Sequence, residues 1–225
     1  MNDRPPADSD TYVPHRAVDA RLPWPPLPGE SVVGALGRTW QGAALQPRSF
    51  FGRIPADAEP GPAVLYYLLI GIAAEGAQLF WAMLLRPGRG TDNVTALLGA
   101  PGALAPTIDF LLSPLLLLFS LFVSAGVTHL MLHLLGGARR SYGVTVMVFA
   151  FAYSPQILGV VPYAGQAVGF VWMLVLAIVG LGAAHGTSAP RAAAAVLVPL
   201  VVALGLLAVA ALVGAAGSLL IGGAA

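Results

Sequence analysis

Residues 141–198 decide the fold, and they read SYGVTVMVFAFAYSPQILGVVPYAGQAVGFVWMLVLAIVGLGAAHGTSAPRAAAAVLV. The stretch contains two apolar runs, residues 142–161 and residues 165–184, with only three residues between them. Each run has about the 20 residues that a helix needs to cross a hydrocarbon core, and neither contains Asp, Glu, Lys or Arg. Because the link is so short, the runs are predicted to form an antiparallel pair of membrane-spanning helices.

A Tyr-Ser-Pro segment, residues 153–155, interrupts the first of these runs. Pro155 lacks a backbone N–H and its ring clashes with the preceding turn, so we expect a helix kink there. The hydroxyl group of Ser154 is well placed to donate to the carbonyl oxygen that Pro155 leaves without a partner.

The same stretch carries a set of short motifs: an aromatic-Tyr-Ser-Pro segment, a Val-Pro turn, a Trp-containing helix, and a Gly-Leu…His-Gly-Thr-Ser…Arg-Ala pattern. The residues are Tyr153, Ser154, Pro155, Pro162, Trp172, Gly180, Leu181, His185, Gly186, Thr187, Ser188, Arg191 and Ala192. Together they resemble the Yip family, the Ypt/Rab-interacting membrane proteins of eukaryotic secretory membranes, which have bacterial relatives. Upstream, residues 46–51 (QPRSFF) resemble the Pro-x-x-Phe-Phe segment that precedes the first span in this family. The resemblance implies a polytopic helical domain and, in eukaryotes, a role in membrane trafficking through Rab-type GTPases.

Composition independently indicates a membrane protein. The 225 residues are 57% hydrophobic and 9% charged, whereas soluble domains carry about a quarter charged residues. The net charge of +1 gives no argument for nucleic acid binding, and no cysteine is available for disulfides or thiol chemistry. Every basic residue is Arg, which together with abundant Ala, Gly and Pro suggests a bacterial genome and therefore a cell inner membrane.

Three further apolar segments, residues 63–85, 108–135 and 192–220, bring the number of predicted spans to five. The predicted fold class is therefore an all-α polytopic membrane protein, with the five-span domain at residues 62–225. Nine arginines lie on the side of the N-terminus, and only Arg86 and Arg89 lie on the other side. Because cytoplasmic loops are enriched in Lys and Arg, the N-terminus is predicted to be cytoplasmic and the C-terminus outside.

The region before the first span is predicted to have two parts. Residues 1–29 are polar and rich in proline, which predicts a disordered cytoplasmic tail; Trp24 among its prolines could alternatively be a polyproline II ligand. Residues 30–61 contain an amphipathic helical pattern, interpreted as a helix in the cytoplasmic interface or, alternatively, a helix packed on the domain. After that helix, arginines and aromatics are predicted to meet lipid headgroups: Arg48, Phe50, Phe51 and Arg53.

An intramembrane polar site is predicted from five residues within the spans: Glu75, Gln78, His129, His133 and Tyr153. Glu75 is deep in the first span, where a carboxyl group must be protonated, paired or facing water. His129 and His133 share one helix face, which suits a metal or a proton relay, but no further ligands follow at ligand spacing. Tyr153 is either a partner of Glu75 or a packed aromatic side chain, and we expect no metal or other cofactor.

Enzyme signatures are absent from the sequence: there is no GxSxG, no Walker loop and no HExxH. Asp92 and Asp109 are interpreted as loop solvation and helix capping. Gly165 and Gly169 form a GxxxG pattern that favours packing within the bundle over a homo-oligomer contact. The sequence therefore predicts a non-enzymatic interaction or membrane-organising protein with an unknown cytoplasmic protein partner. The alternative is a small transporter or channel with a polar path through Glu75, His129 and His133.

Overall fold

The computed structural model describes residues 21–85 and 105–222, with side chains as far as residue 214, and this part of the chain contains no strand. Its helices are α1 (Val32–Leu45), α2 (Pro47–Gly52), α3 (Gly61–Leu85), α4 (Ala105–Leu134), α5 (Tyr142–Ala152), a 3₁₀ segment (Ser154–Val160), α6 (Ala164–His185) and α7 (Ala189–Gly222). The 3₁₀ segment continues α5, so the two together form one span. Arg86, Arg89 and Asp92, like residues 1–20, lie outside the described residues.

The five predicted spans are confirmed, because five helices are long and apolar enough to cross a membrane. The observed bounds differ from the predicted ones by at most three residues, at the starts of α4 (Ala105) and α7 (Ala189). The third span, Tyr142–Val160, is the innermost. Of its most apolar stretch, 61% of the residues are buried inside the protein, compared with 6–33% in the other four spans. The other helices leave large apolar side chains on the outside, where a lipid tail is a suitable neighbour.

The central span is surrounded by its neighbours on several sides. Helices α1, α3, α4 and α6 all contact α5, and α3 and α6 also contact the 3₁₀ segment. Helix α7 packs against α4 and α6 near its beginning, where Ala192, Ala195 and Val196 are buried. Its later part, from Val201 to Val213, is exposed on the bundle surface. The core of the domain therefore sits around α5.

The predicted kink is present in the third span. Helix α5 ends at Ala152, and the chain continues as the 3₁₀ segment from Ser154. The Ser154 hydroxyl donates a 2.6 Å hydrogen bond to the Phe151 carbonyl oxygen. In a regular helix the N–H of residue 155 would donate to that oxygen, but Pro155 has no N–H. The prediction for the Ser154 hydroxyl is therefore confirmed.

The GxxxG pattern serves packing inside the bundle, as predicted. Gly165 lies against the carbonyl oxygen of Leu158. A methyl group added at Gly169 would lie 2.8 Å from the carbonyl oxygen of Pro155. Both carbonyls belong to the 3₁₀ segment, so two glycines let α6 approach the backbone of the preceding span.

The segment before the first span is built into the domain, which corrects two expectations. Leu22 and Trp24 are buried, and the Trp24 indole donates a 2.6 Å hydrogen bond to the Pro62 carbonyl oxygen. Residues 21–29 are therefore not a disordered tail, and Trp24 is not free to bind a partner as a polyproline II ligand. The physical reason is that an indole buries much apolar surface while its N–H still finds an acceptor.

Helix α1 is confirmed as a helix with one face buried against the domain, while its position in the lipid interface stays a prediction. The Ser31 hydroxyl accepts from the Gly34 N–H and caps its start. Its buried residues, Ala35, Thr39, Ala43 and Ala44, lie on a helix that contacts α5 and the 3₁₀ segment. The helix thus packs on the domain.

Candidate functional site

The first polar centre of the bundle is Ser154, at the kink of the third span. The Tyr66 hydroxyl, from α3, lies 2.8 Å from Ser154 Oγ. Because Ser154 already donates to Phe151, Tyr66 must be the donor in this pair. The Trp40 indole N–H of α1 donates to the Ser154 carbonyl oxygen at 3.0 Å. Ser154 therefore joins α1, α3 and the kink, and we call these three residues, Trp40, Tyr66 and Ser154, the kink node.

Tyr66 and Ser154 are completely buried, so the kink node is closed to solvent at these side chains. Sequence reasoning named Ser154 but missed Tyr66 and Trp40. Both are aromatic residues in apolar helices, and the sequence carries no signal for where their polar atoms point.

An aromatic cluster next to the kink node overturns the lipid-interface prediction for two residues. Phe50 and Phe51 are fully buried. The Phe50 ring packs edge-on against Phe151 at 5.2 Å, and Phe51 lies against Gly180 of α6. The prediction that these rings enter the headgroup layer is wrong, because α2 turns both of them into the protein core. Gly180, from the family motif, leaves space for Phe51.

The two arginines beside this cluster remain at the surface. Arg48 is exposed, and Arg53 lies over the Phe50 ring, 5.7 Å from its centroid. Arg53 Nη1 also donates to the Arg21 carbonyl oxygen at 3.3 Å. Contact of Arg48 and Arg53 with lipid phosphates stays a prediction.

A second polar centre links α4, α5 and α6 through two histidines. Thr145 Oγ1 lies 2.8 Å from His129 Nδ1 and 3.0 Å from His185 Nε2. The Arg140 backbone N–H donates to His185 Nδ1 at 3.3 Å, so that nitrogen is an acceptor. His185 then carries its proton on Nε2 and donates to Thr145, whose own hydroxyl donates to His129. We call His129, Thr145 and His185 the histidine chain.

Arginine side chains close the bundle beside the histidine chain. Arg139 Nη1 donates to the Gly186 carbonyl oxygen at 2.9 Å, and Arg140 Nη1 donates to that of Ile54 at 3.3 Å. Gly186 has a φ of 61° and ends α6 in the left-handed conformation that glycine adopts without strain. Arg191 is exposed in the first turn of α7. His133 is also exposed and does not belong to the histidine chain.

The third polar group lies in the other half of the bundle, around Glu75. This carboxyl group interacts electrostatically with Asp109, Tyr67 and Tyr153. The Tyr67 and Tyr153 rings are 4.4 Å apart, and the Tyr67 hydroxyl lies 3.1 Å from Ser120 Oγ. The Tyr153 ring is thus packed on an aromatic neighbour, and a partnership of Tyr153 with Glu75 stays a prediction. Asp109 was missed as a neighbour of Glu75, because near a helix start it was interpreted as a cap.

The predicted intramembrane site is thus divided into separate groups. Glu75 and Tyr153 belong to one, whereas His129 belongs to the histidine chain. The Gln78 amide faces Gly159 of the 3₁₀ segment. Within residues 21–85 and 105–222, no group of three or more His, Cys, Asp or Glu side chains could hold a metal ion.

Five apolar spans, of which the kinked third is the central one, define a polytopic α-helical membrane protein. The Yip1 domain family matches residues 42–212, which is more than half of the chain. The chain therefore belongs to the Yip1 domain family, as the sequence motifs indicated. No curated protein and no solved structure matches it. The matched region includes Tyr66, Ser154 and the whole histidine chain.

Proposed function

We propose that the protein is a non-enzymatic interaction or membrane-organising protein of the cell inner membrane. Its cytoplasmic side, residues 1–62, is the part that engages a partner protein. The observation that carries this proposal is the hydrogen bond from Trp40 to Ser154, because it attaches the proposed partner-binding side to the kink of the central span. The Trp172 indole of α6 supports the attachment by donating to the Ala44 carbonyl oxygen at 3.2 Å.

The polar residues of the bundle support a binding role over transport. The hydroxyl groups of Ser154 and Thr145 form hydrogen bonds with side chains of neighbouring helices, in the kink node and in the histidine chain. Ser154 also donates to the Phe151 carbonyl oxygen of its own span. Side chains used in this way hold helices together, whereas a transport path needs polar groups that face water.

The face of α1 that points away from the bundle is the proposed contact surface. Val32 and Val33 are 52% and 78% exposed. Beside them, Arg38 and Glu30 form an exposed ion pair at 3.2 Å. An apolar ridge bordered by charges is typical of a protein contact surface.

Photo-crosslinking in living cells tests the contact surface. A photoreactive amino acid at Val33 should give an adduct with a protein partner, whereas the same group at Leu207 of α7, 66% exposed among apolar neighbours, should not. Arg38→Glu should weaken the adduct, and Arg48→Glu, on α2, should leave it unchanged. If only lipid adducts form at Val33, the proposal is wrong.

A small transporter remains the second candidate, because Glu75 and Asp109 place carboxyl groups on two spans that contact each other, α3 and α4. The chain has no cysteine, so Glu75→Cys creates a unique thiol. A water-soluble maleimide should leave this thiol unmodified if the bundle is static. Rapid labelling from one side of the membrane would favour transport.

A further inference from the structure

A pocket of about 250 Å³ lies between residues 21–25, the start of α3 and two residues of α5, Met147 and Phe151. Its floor is apolar and includes Trp24, Met147 and Phe151. Its charged lining residues are Arg21, Arg53 and Glu59. The pocket thus has an apolar interior, and its two arginines and one glutamate give it a net charge of +1.

Further positive charge lies next to the pocket. The Arg140 guanidinium is held against the Ile54 carbonyl oxygen, and Ile54 lies between two residues that line the pocket, Arg53 and Pro55. Arg21 is exposed and donates with Nη2 to the Pro25 carbonyl oxygen, which holds its side chain beside the opening. An anion at this position would meet guanidinium groups that already have a fixed geometry.

We infer that this pocket binds one acyl chain of an anionic membrane phospholipid, with the lipid phosphate beside Arg21 and Arg53. The apolar floor accounts for the chain, and the guanidinium groups account for the phosphate. The pocket is smaller than the roughly 300–1,000 Å³ of drug-sized sites, so it has room for only the first part of one chain and not for two chains. A lipid is the suitable source because the pocket lies at the start of one span, α3, and extends along the third span to Met147 and Phe151.

The occupied pocket would touch the kink node. Trp24 and Phe151 line the pocket, and both rings pack against Tyr66, at 6.0 Å and 5.3 Å between centroids. Tyr66 donates to Ser154. A bound acyl chain would therefore press on the aromatic rings that hold the kink.

Native mass spectrometry of the purified full-length protein in detergent tests this inference. The probes are dioctanoyl phosphatidic acid, dioctanoyl phosphatidylcholine and inorganic phosphate. We expect phosphatidic acid to bind and inorganic phosphate not to bind, because phosphate alone fills none of the apolar floor. Phosphatidylcholine should bind about tenfold more weakly, since its choline offsets the phosphate charge.

Two pairs of variants locate the lipid. Arg21→Gln should lower phosphatidic acid affinity about tenfold, whereas Arg191→Gln, exposed in the first turn of α7 and outside the pocket, should not. Ala58→Leu fills the pocket and should lower the affinity for both lipids, whereas Ala56→Leu, on the exposed connection outside it, should change neither. Thermal melting checks that all four variants are folded.

Three results would overturn the inference. Equal binding of phosphatidylcholine and phosphatidic acid removes the role of the guanidinium groups. Unchanged lipid binding in a folded Ala58→Leu protein places the lipid elsewhere on the bundle. Binding that appears only after removal of residues 2–20 makes the pocket a site for that segment of the chain.

Discussion

The indole nitrogen of Trp40 donates a hydrogen bond to the carbonyl oxygen of Ser154, 114 residues further along the chain. Trp40 lies in the helix before the first span, and Ser154 lies at the kink of the central span. A segment that composition places at the membrane surface is therefore attached to the backbone of the most buried span. This bond connects the proposed interaction side to the interior of the domain.

Trp40→Phe should destabilise the protein by about 1 kcal/mol, because it removes the N–H while keeping an aromatic ring. Thermal unfolding in detergent should show a melting temperature lower by about 2–4 °C. Val33→Ala, at an exposed position of the same helix, should melt like the wild type. Equal melting of Trp40→Phe and the wild type would show that the bond does not hold α1.

Thr145→Val should destabilise the protein by about 2 kcal/mol, because it keeps the side-chain shape but leaves two imidazole nitrogens without their shared partner. Thr145→Ser retains the hydroxyl and should stay within about 1 kcal/mol of the wild type. Melting curves of the two variants provide the comparison. If Val and Ser variants unfold together, the histidine chain makes no net contribution to stability.

Gly169→Ala should destabilise the bundle by about 1–3 kcal/mol, because the new methyl group would lie 2.8 Å from the Pro155 carbonyl oxygen, which is backbone and cannot turn aside. Gly205→Ala is the matched control in α7, where nothing lies within 4 Å of the added methyl group. The control should be neutral or more stable by up to about 1 kcal/mol, since Ala favours helix. Similar melting of both variants would contradict the close packing of α6 on the 3₁₀ segment.

The proposed orientation is tested with single cysteines and a membrane-impermeant maleimide on spheroplasts. Val161→Cys, exposed in the turn before α6, should label in intact spheroplasts. Ser49→Cys and Ser188→Cys, both exposed, should label only after lysis. The opposite pattern would mean that the arginine asymmetry gives the wrong orientation.

The spans and the kink could be predicted from the sequence because local rules decide them. Twenty apolar residues have few alternatives to a spanning helix, and Pro155 cannot supply the N–H that Phe151 needs. The Ser154 hydroxyl is the nearest donor, so its role followed from its position alone. The packing role of Gly165 and Gly169 in α6 was also predicted correctly, because small residues four positions apart lie on one helix face and allow close packing.

The site itself could not be predicted in the same way. Phe50 and Phe51 were predicted to be interfacial because they follow the helix break at Pro47 and lie next to arginines. Only the tertiary packing shows that both rings are buried and that Gly180 leaves space for Phe51. His185 was identified by its motif, but its link to His129 depends on Thr145, which looks like an ordinary residue of an apolar helix. Contacts between residues far apart in the chain leave no periodic signal in one sequence.

Hydrogen exchange of the full-length protein in lipid nanodiscs tests whether α1 is part of the membrane domain. We expect the amides of residues 35–45 to exchange slowly, in the same range as those of α5, and we expect Trp40→Phe to accelerate exchange in α1 while α5 stays protected. Exchange of α1 as fast as an unstructured peptide, with α5 still protected, would show that α1 is not part of the domain.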